Sequence, residues 1–505
     1  MKVLGLAAAL AVSAILAVVA LSGIGQNRAA PVRDGAAIER PLIFVPGLLG
    51  SMLCRPGPDG TQTVVWGTAE AIGQFPTLAL EPGSDTIEPC GLIREISFLG
   101  VFSQTVYGPF VDRLLAAGYR EGETLFVFDY DWRLSVFDNA RRLAAFIDET
   151  LPGDSKVDIV AHSMGGLVAR TYALAEGGAP RIARMVSAGS PWRGSVQVFE
   201  LLQNGWGVSN FLLGGIENFR RTVLSFASLF DLMPSYDGCC ATPATFNAAN
   251  AAAWTGLNWT GIDADGLPDL GRGLARQQQL LDILAQPLPA GIDEALVIGV
   301  DQRTPQQFDL EAGQGAARLE VVTSWDGDGT VPGDSARLPQ RIVFPTSFAT
   351  HDAILNDARV QDFVLATLAG GPNAAIAAVP VQKRGSILTA VGDVVELIGA
   401  AVVADQPIYA TGARATVTVH LRMPVEDAVD ASTLRLAAAL PGRSPQPLAL
   451  SPAPWASDPA VPLEQSFSAN LDIGDAPGEL QLTLSIATPS GEARTVTRVV
   501  PILRR

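Results

Sequence analysis

Charged side chains are scarce in this chain, and basic ones are scarcer than acidic ones. Charged residues make up 17% of its 505 residues, and 35 Lys and Arg against 51 Asp and Glu give a formal net charge of −16. Such a surface repels phosphate backbones, which argues against a nucleic-acid partner. It does not attract anionic lipid either, so contact with a membrane would have to use apolar surface. No obligate protein partner is inferred from the sequence.

Long apolar runs are missing after the first 25 residues. At the start, Met1-Lys2 precedes an uncharged apolar stretch that ends near Leu21. Residues 1–25 are therefore interpreted as a signal peptide or a signal anchor. Small residues permit cleavage after Ser22, whereas ~20 apolar residues are also enough to span a bilayer. The sequence thus predicts an exported protein that is either periplasmic or extracellular, or anchored to the membrane by this segment.

Cysteine is scarce too, and each of the four residues has a candidate partner. Export makes disulfides plausible, and more than one pairing is possible. Cys54–Cys90 is the natural long-range pair, which would contribute roughly 4 kcal/mol by restricting the unfolded chain; buried free thiols are the alternative. The adjacent Cys239 and Cys240 could form a vicinal bridge or remain two thiols.

Apolar residues make up 48% of the chain, which excludes a disordered protein, and the length allows two or three domains. Within residues 38–370, short apolar strands alternate with amphipathic helices, so we predict βαβ units around a parallel sheet. Residues 51–100 and 196–290 interrupt this alternation as insertions after strands, where α/β proteins place their binding loops. The first insertion is rich in Gly and Pro and is expected to be irregular.

The pattern predicts particular elements within residues 38–370. The expected strands are Pro41–Val45, Thr124–Phe128, Lys156–Val160, Ile182–Ala188, Ala295–Val300 and Arg341–Phe344. The expected helices are Thr105–Tyr119, Val136–Leu151, Gly165–Ala175 and Ala353–Leu368. Residues 385–505 differ, because short alternating runs there are separated by turn signals. This spacing predicts a C-terminal β-sandwich of immunoglobulin-like size.

The sharpest local signal is the segment Ala161-His-Ser163-Met-Gly-Gly166, which follows a predicted strand and opens a predicted helix. A tight strand–nucleophile–helix turn requires small neighbours, and here they are Ala161, Gly165 and Gly166. Such a turn projects a serine hydroxyl from the top of the sheet. We therefore predict Ser163 as a nucleophile rather than an ordinary serine at a helix N-cap.

Histidine is the rarest candidate base, with three residues in the whole chain. His162 adjoins the nucleophile and is expected to point elsewhere, and His420 lies in an alternating strand of the C-terminal region. His351, just before the last helix of the α/β part, is left as the general base by elimination. A structural histidine at a helix start is the alternative.

The acid is expected between serine and histidine in chain order. The segment Trp325-Asp-Gly-Asp328-Gly lies there, and either Asp326 or Asp328 could orient the imidazole and stabilise its charged form. A calcium loop is the alternative because Asp-x-Asp-Gly opens such loops, but the other ligands of that motif are missing. For the oxyanion, we predict backbone N–H donors from Met164 and from Leu48 in the Gly47–Gly50 loop.

Four segments together resemble the lecithin:cholesterol acyltransferase family, which includes lysosomal phospholipase A2 and phospholipid:diacylglycerol acyltransferases. They are Pro46-Gly-Leu-Leu-Gly-Ser51, Tyr130-Asp-Trp-Arg133, Ala161–Gly166 and Gly327-Asp-Gly-Thr-Val331, and Ser190-Pro-Trp-Arg-Gly-Ser195 is similar to the small-residue turn of that family. Tyr130–Arg133 is the most specific segment, since generic lipases need not have it. The resemblance covers roughly residues 38–370.

This resemblance implies an α/β-hydrolase fold with cap insertions, and a triad of Ser163, Asp328 and His351. It implies no metal and no cofactor. The implied substrates are lipid or phospholipid acyl esters at a membrane surface, processed through an acyl-serine with water or an alcohol as acceptor. A generic secreted lipase or carboxylesterase that uses only water is the rival, and a non-catalytic binding protein is a second one.

Two features of the sequence have both a structural and a functional interpretation. The Cys54–Cys90 bracket resembles the disulfide-closed first insertion of the family, which contacts membrane. Trp66 lies inside it, so we predict that this side chain contacts the lipid surface, against the alternative that it packs in the hydrolase core. For Asp131 and Arg133 we favour buried support of the sheet edge and its loops over direct contact with substrate.

Overall fold

The computed structural model describes residues 38–503 with gaps at 69, 81–85, 99–101, 206–214, 237–238, 241–250, 258, 260–266, 301, 312–317, 340, 348, 379–398, 405–408, 423–433, 453–463 and 488–492. The predicted signal peptide or anchor at residues 1–25 lies outside the described residues. Within the described ranges, no helix combines the length and apolarity needed to cross a bilayer.

A six-stranded, fully parallel sheet forms the centre of the first part of the chain. Its strands are β1 (Leu42–Val45), β2 (Leu125–Val127), β3 (Val157–His162), β4 (Ile182–Ala188), β5 (Asp293–Val300) and β6 (Ile342–Ser347). Their order across the sheet is β6-β5-β4-β3-β1-β2. The prediction of a parallel sheet is confirmed, and the nucleophile segment follows one of its two central strands.

Both faces of this sheet are covered, as a parallel sheet requires. Side chains alternate between faces along a strand, so Leu42 and Phe44 enter one apolar cluster while Ile43 and Val45 enter the other. Four helices cover the faces: α1 (Gly108–Ala116), α2 (Val136–Thr150), α3 (Met164–Ala175) and α4 (Ala358–Gly370). Helices α1 and α4 contribute to the first cluster, and α2 and α3 to the second.

Local signals set the ends of these helices. The predicted start of α1 at Thr105 is three residues early, because Pro109 in the first turn has no N–H to donate and suits a helix start. Helix α2 begins after Ser135, whose hydroxyl accepts a hydrogen bond from Asp138 N, an N-cap contact. The last predicted helix is divided into a 3-10 turn, His351–Asn356, and α4, which Asp357 caps.

The first insertion is more ordered than its composition indicates. It contains a three-stranded antiparallel sheet and a hairpin, so the expectation of irregular structure is wrong here. The pairing register of the three-stranded sheet shifts at two places, between Leu53 and Cys54 and between Ser51 and Leu53. Its elements are the strands Ser51–Pro56, Gln62–Trp66, Glu88–Leu92, Glu95–Phe98 and Phe102–Thr105 and the 3-10 helix Glu70–Leu78.

Disulfides pair all four cysteines. Cys54 and Cys90 are joined with Cα atoms 5.8 Å apart, and this bond links two paired strands of the first insertion. Cys239 and Cys240 form a vicinal disulfide, one of the two possibilities left open by the sequence.

The second insertion is largely helical, and a further hairpin follows β5. The helices are Gln197–Asn204, Ile216–Leu224, Ala227–Asp231 and Leu267–Leu284, with the 3-10 helix Ala251–Leu257. The hairpin pairs Thr304–Glu311 with Arg318–Ser324 and was not predicted. Two short helices complete this part of the chain, Gly333–Ala336 and Pro372–Ala378, together with the 3-10 turn Ala179–Arg181.

The C-terminal region forms two sheets whose buried side chains belong to one apolar cluster. The four-stranded sheet contains Gly399–Ala404, Arg414–Arg422, Glu464–Asp472 and Ser451–Pro452, in that order. The five-stranded sheet contains Tyr409–Ala410, Ala493–Leu503, Gly478–Ala487, Leu434–Ala439 and Gln446–Leu448, in that order. The predicted alternating strands are present, and the immunoglobulin-like sandwich over residues 385–505 stays a prediction.

Candidate active site

Ser163 occupies a sharp turn between β3 and α3. Its backbone has φ 53° and ψ −126°, a left-handed φ that non-glycine residues rarely adopt. A Cβ on Gly165 would come 2.4 Å from the carbonyl oxygen of Val45, and one on Gly166 would collide with Ser190 Oγ. The two glycines are therefore required for this turn, which is the nucleophile elbow expected from the sequence.

Three side chains from different loops meet at this elbow. His351 Nε2 lies 2.8 Å from Ser163 Oγ, and His351 Nδ1 lies 2.8 Å from Asp328 Oδ2. The backbone N–H of His351 also donates to the Asp328 carbonyl, at 2.8 Å. Because a carboxylate only accepts, Nδ1 carries the proton and Nε2 is left free to accept the serine proton. This is the geometry of a nucleophile, a general base and an orienting acid.

The charge of Asp328 controls the protonation of His351. Burial lowers the pKa of His351, but the charge of Asp328 and its hydrogen bond outweigh burial and leave that pKa above its ordinary value. The second oxygen of Asp328 accepts hydrogen bonds from Thr330 N at 3.0 Å and Val331 N at 2.7 Å. Asp328 is only 1% exposed. The carboxylate is therefore held in one orientation.

The structure distinguishes the two aspartates of the Asp326–Asp328 segment. Both oxygens of Asp326 accept hydrogen bonds from Arg337, each at 2.7 Å, away from the imidazole. Asp328 alone faces His351. The two carboxylates therefore serve different partners and do not form the shared ligand set of a calcium loop.

The loop after β1 lies directly against the nucleophile. A Cβ on Gly47 would come 2.9 Å from Ser163 Cβ, so this loop and the elbow are in contact. Gly50 N donates to the Gly47 carbonyl at 3.1 Å, which closes the turn that contains the half-buried Leu48. Met164 begins helix α3 immediately after Ser163. The structure thus brings both predicted oxyanion residues, Leu48 and Met164, beside Ser163, and their role stays a prediction.

Comparison with known proteins agrees with the motifs. The model of the lecithin:cholesterol acyltransferase family matches residues 80–263 of this chain. The resemblance to that family is confirmed. A relative from Arabidopsis thaliana, Lecithin-cholesterol acyltransferase-like 4, is 24% identical over 242 residues, which are 40% of this chain and 43% of that protein. The chain therefore spans less than half the length of this relative.

Solved structures similar to this chain include two bacterial enzymes. The mature lipase BlEst2 of Bacillus licheniformis is 14% identical, with 65% of this chain and 91% of that chain covered and a TM-score of 0.29. The phospholipase PlaB of Legionella pneumophila is 11% identical, with 92% of each chain covered and a TM-score of 0.33.

The family match contains Ser163 but ends before Asp328 and His351, whose assignment depends on the geometry of the site.

The family-like segment Tyr130–Arg133 supports the loop beside the nucleophile. Tyr130 Oη donates to the Pro46 carbonyl at 2.8 Å, and Trp132 Nε1 donates to the Ser51 carbonyl at 3.1 Å, so the Gly47–Gly50 loop is held at both ends. These contacts explain why this family-like segment accompanies the elbow.

Asp131 and Arg133 have the buried structural role that the sequence favoured. Both are 3% exposed, and two hydrogen bonds of 2.9 and 2.7 Å join the guanidinium to the carboxylate. Arg133 Nη1 also donates to the carbonyl of Leu78 in the first insertion, at 2.9 Å. The pair therefore supports a neighbouring loop through buried hydrogen bonds, as predicted, and that loop belongs to the first insertion.

The prediction that Trp66 contacts a membrane is wrong. The side chain is 1% exposed, and its Nε1 donates to the Leu49 carbonyl at 3.0 Å. Its ring lies 5.5 Å from that of Trp132 and 6.1 Å from that of Phe75, centroid to centroid. An ordered first insertion buries this tryptophan against the core, which is the alternative that the sequence left open.

Replacement of Trp66 by alanine should therefore act through stability. We expect Trp66→Ala to destabilise the hydrolase part by about 3–5 kcal/mol, the usual cost of a large-to-small change in a core. Urea unfolding followed by tryptophan fluorescence measures this, with Leu115→Ala, at a 37% exposed position, as the control that should cost much less. A large loss of activity on vesicles with unchanged stability would restore the membrane-contact hypothesis.

His162 was expected to point away from the site, and this expectation is only half correct. Its ring does not face Ser163 Oγ, but its centroid lies 5.0 Å from that of His351, and its Nε2 is 2.8 Å from the His351 carbonyl oxygen. Its partner on the other side, Tyr107, is the N-cap residue of α1. No local pattern links Tyr107 to the elbow, so only the fold reveals this contact.

Proposed function

We propose that this protein is a serine-dependent enzyme that hydrolyses or transfers the acyl group of lipid esters through an acyl-Ser163 intermediate. The observation that carries the proposal is the hydrogen-bonded series from Ser163 Oγ through His351 to Asp328, at 2.8 Å for each step. A buried imidazole between a hydroxyl and a carboxylate activates that hydroxyl as a nucleophile. Similarity to the lecithin:cholesterol acyltransferase family supports the choice of lipid esters.

Acylation begins with attack by Ser163 Oγ on the ester carbonyl carbon. His351 Nε2 accepts the hydroxyl proton as the new C–O bond forms, and the ionised Asp328 stabilises the resulting imidazolium. The carbonyl oxygen becomes an oxyanion, which accepts hydrogen bonds from the backbone N–H groups of Leu48 and Met164. Collapse of this intermediate expels the alcohol of the lipid, which receives the proton from His351.

Deacylation repeats the sequence with a second oxygen nucleophile. Water or an alcohol loses its proton to His351 Nε2 and attacks the acyl-serine carbonyl. The second oxyanion collapses, Ser163 Oγ leaves, and His351 returns the proton to it. Water gives a fatty acid and an alcohol gives a new ester, so the same three side chains support hydrolysis and transfer. Neither step requires a cofactor.

The setting we propose is a membrane surface on the exported side. The apolar start of the chain supports export, and the net charge of −16 disfavours capture by anionic lipid headgroups or nucleic acid. For residues 385–505 we propose an immunoglobulin-like sandwich, supported by the single apolar cluster of the two C-terminal sheets. The rival function is a secreted lipase or carboxylesterase with water as sole acceptor.

One incubation separates these functions. Purified protein is mixed with phospholipid vesicles, with and without a lipophilic alcohol, and every acyl product is identified by mass spectrometry. An acyltransferase gives new esters of the alcohol, and a simple lipase gives only fatty acid in both mixtures. Ser163→Ala is the matched blank. If wild type forms no more fatty acid or new ester than this blank in either mixture, the proposal is overturned.

The two aspartates of the acidic segment should differ sharply. We expect Asp328→Asn to lower ester turnover on the order of 10⁴-fold, because an amide favours the wrong tautomer of His351. Asp326→Asn, which weakens the pair with Arg337 away from the imidazole, should cost far less. Steady-state rates on a soluble ester measure both, and a chelator should change neither. Greater damage from Asp326→Asn would show that the acid is misassigned.

The pH profile of activity is a second test that distinguishes Asp328 from Asp326. His351 must be neutral to accept a proton, so activity falls as pH drops through its pKa. Because Asp328 raises that pKa, the acid limb of kcat/KM should lie above the ordinary histidine value of about 6.5 in wild type. In Asp328→Asn, the acid limb of the residual kcat/KM should move to lower pH. In Asp326→Asn, it should stay at the wild-type pH.

A further inference from the structure

A buried series of hydrogen bonds connects the oxyanion loop to the general base behind the nucleophile. Gly47 N lies 2.9 Å from Tyr107 Oη, Tyr107 Oη lies 2.8 Å from His162 Nδ1, and His162 Nε2 lies 2.8 Å from the carbonyl oxygen of His351. Tyr107 is 3% exposed and His162 is 5% exposed. Neither side chain takes part in the proton transfers described above.

The direction of every bond in this series is fixed by chemistry. The His351 carbonyl only accepts, so the ring proton of His162 lies on Nε2 and donates to it. In the neutral ring Nδ1 carries no proton and accepts from Tyr107 Oη, which in turn accepts from the backbone N–H of Gly47. The series therefore requires a neutral His162 in one tautomer and a protonated Tyr107.

The surroundings keep both groups in these forms. Burial, followed by the nearby His351, lowers the pKa of His162 to about 3, although the His351 carbonyl and Asp328 act in the opposite direction. Burial and the charge of Asp352 raise the pKa of the Tyr107 phenol well above its usual range, although the hydrogen bond from Gly47 acts in the opposite direction. The series thus persists over the whole pH range in which His351 can act as a base.

The two ends of the series are the parts of the site whose positions matter most. Gly47 precedes Leu48, and a Cβ at Gly47 would come 2.9 Å from Ser163 Cβ and 3.0 Å from His162 Nδ1. At the other end, the His351 backbone is held twice, by its N–H to the Asp328 carbonyl and by its carbonyl to His162. A shift of about 1 Å in either part is enough to cost a large factor in rate.

We propose that Tyr107 and His162 are positioning residues that hold the oxyanion loop and His351 in register across Ser163. This inference rests on the proposed function, because it assigns the series to the same acyl-transfer site. It predicts that breaking any bond of the series lowers kcat while substrate binding is retained, since both ends act on the transition state.

Two substitutions at His162 separate the two arms of the series. An asparagine places its side-chain oxygen near the position of Nδ1, so His162→Asn can still accept from Tyr107 but no longer reaches His351. A glutamine places its amide nitrogen near the position of Nε2, so His162→Gln can still donate to His351 but loses Tyr107. Tyr107→Phe removes both bonds of the phenol and retains the ring.

With a soluble short-chain ester such as p-nitrophenyl butyrate, Tyr107→Phe and His162→Asn should each lower kcat by about 10–100-fold, with KM within about twofold of wild type. Tyr107→Phe and His162→Gln break the same bond, so the double variant should be little worse than Tyr107→Phe alone. Tyr236→Phe is the matched control. Its buried hydroxyl donates to the Gln306 carbonyl at 2.6 Å, outside the series, and its loss should leave kcat unchanged.

A kcat within about twofold of wild type for both Tyr107→Phe and His162→Asn would overturn the inference, whatever their melting temperatures. If Tyr107→Phe does not fold, the two His162 variants decide the question by themselves. Failure of the proposed function looks different, since wild type would then show no Ser163-dependent turnover of any ester. If turnover depends on Ser163 but the Tyr107 and His162 variants all match wild type, only this inference is overturned.

Discussion

Ser163→Ala should abolish ester turnover, with a loss on the order of 10⁶-fold, and leave the fold intact. The loss is large because nucleophile and base act as a unit, so removal of one member removes nearly the whole contribution of the triad. The fold should survive because alanine adds no atom at the elbow, where the strained backbone is maintained by Gly165 and Gly166. Hydrolysis of a soluble ester, measured beside thermal unfolding, tests both statements.

A matched serine provides the control for this prediction. Ser228 is fully buried in the second insertion, so Ser228→Ala changes the same atoms away from the elbow. It should keep activity near the wild-type value. Residual turnover in Ser163→Ala that equals that of Ser228→Ala would remove Ser163 from the mechanism, and with it the acyl-serine.

The parts of the site that the sequence predicted are those whose constraints are local. The elbow can be recognised in the sequence because its two glycines leave no room for a side chain. A Cβ on Gly165 would lie 2.4 Å from the Val45 carbonyl oxygen, and one on Gly166 would collide with Ser190 Oγ. The parallel strands are visible because burial on both faces makes them continuously apolar. His351 was found by elimination in a chain with three histidines, and the fold then placed it beside Ser163.

Tertiary contacts determined what the sequence could not predict. By spacing alone Asp326 and Asp328 are equally plausible acids, and the family resemblance favoured Asp328. The fold separates them, because Asp328 faces His351 whereas Asp326 pairs with Arg337. Trp66 is an amphipathic aromatic residue of the kind found at membrane interfaces. In the fold, however, its ring packs against that of Trp132 from a distant segment. The hairpin after β5 was also missed, since its strands extend outside the central sheet.

His162 shows how a correct local argument can still miss a role. A residue next to the nucleophile does point away from the reacting oxygen, and on that ground it was set aside. The space into which it points contains the carbonyl of His351 on one side and Tyr107 on the other. The elbow therefore places Ser163 against the ring of His351 and its neighbour His162 against the carbonyl of the same residue.

The three histidines should rank clearly when each is replaced. His351→Ala should be as severe as the serine change, on the order of 10⁶-fold, because His351 Nε2 is, among the residues that the structure describes, the base that hydrogen-bonds to Ser163 Oγ. His162 variants should lose about 10–100-fold through misplacement. His420→Ala should keep full activity, since His420 lies half-buried on a C-terminal strand and is bonded to Ser466 at 3.0 Å.

Rates on one soluble ester give this ranking. The rate at which a serine-reactive fluorophosphonate labels each variant is a second measurement. His351→Ala should also label slowly, because phosphonylation of Ser163 needs the same proton acceptor. Fast labelling together with lost ester turnover would mean that His351 acts only in deacylation. Wild-type rates for His351→Ala and a dead His420→Ala would assign the base to the C-terminal region and contradict the triad built here from Ser163, Asp328 and His351.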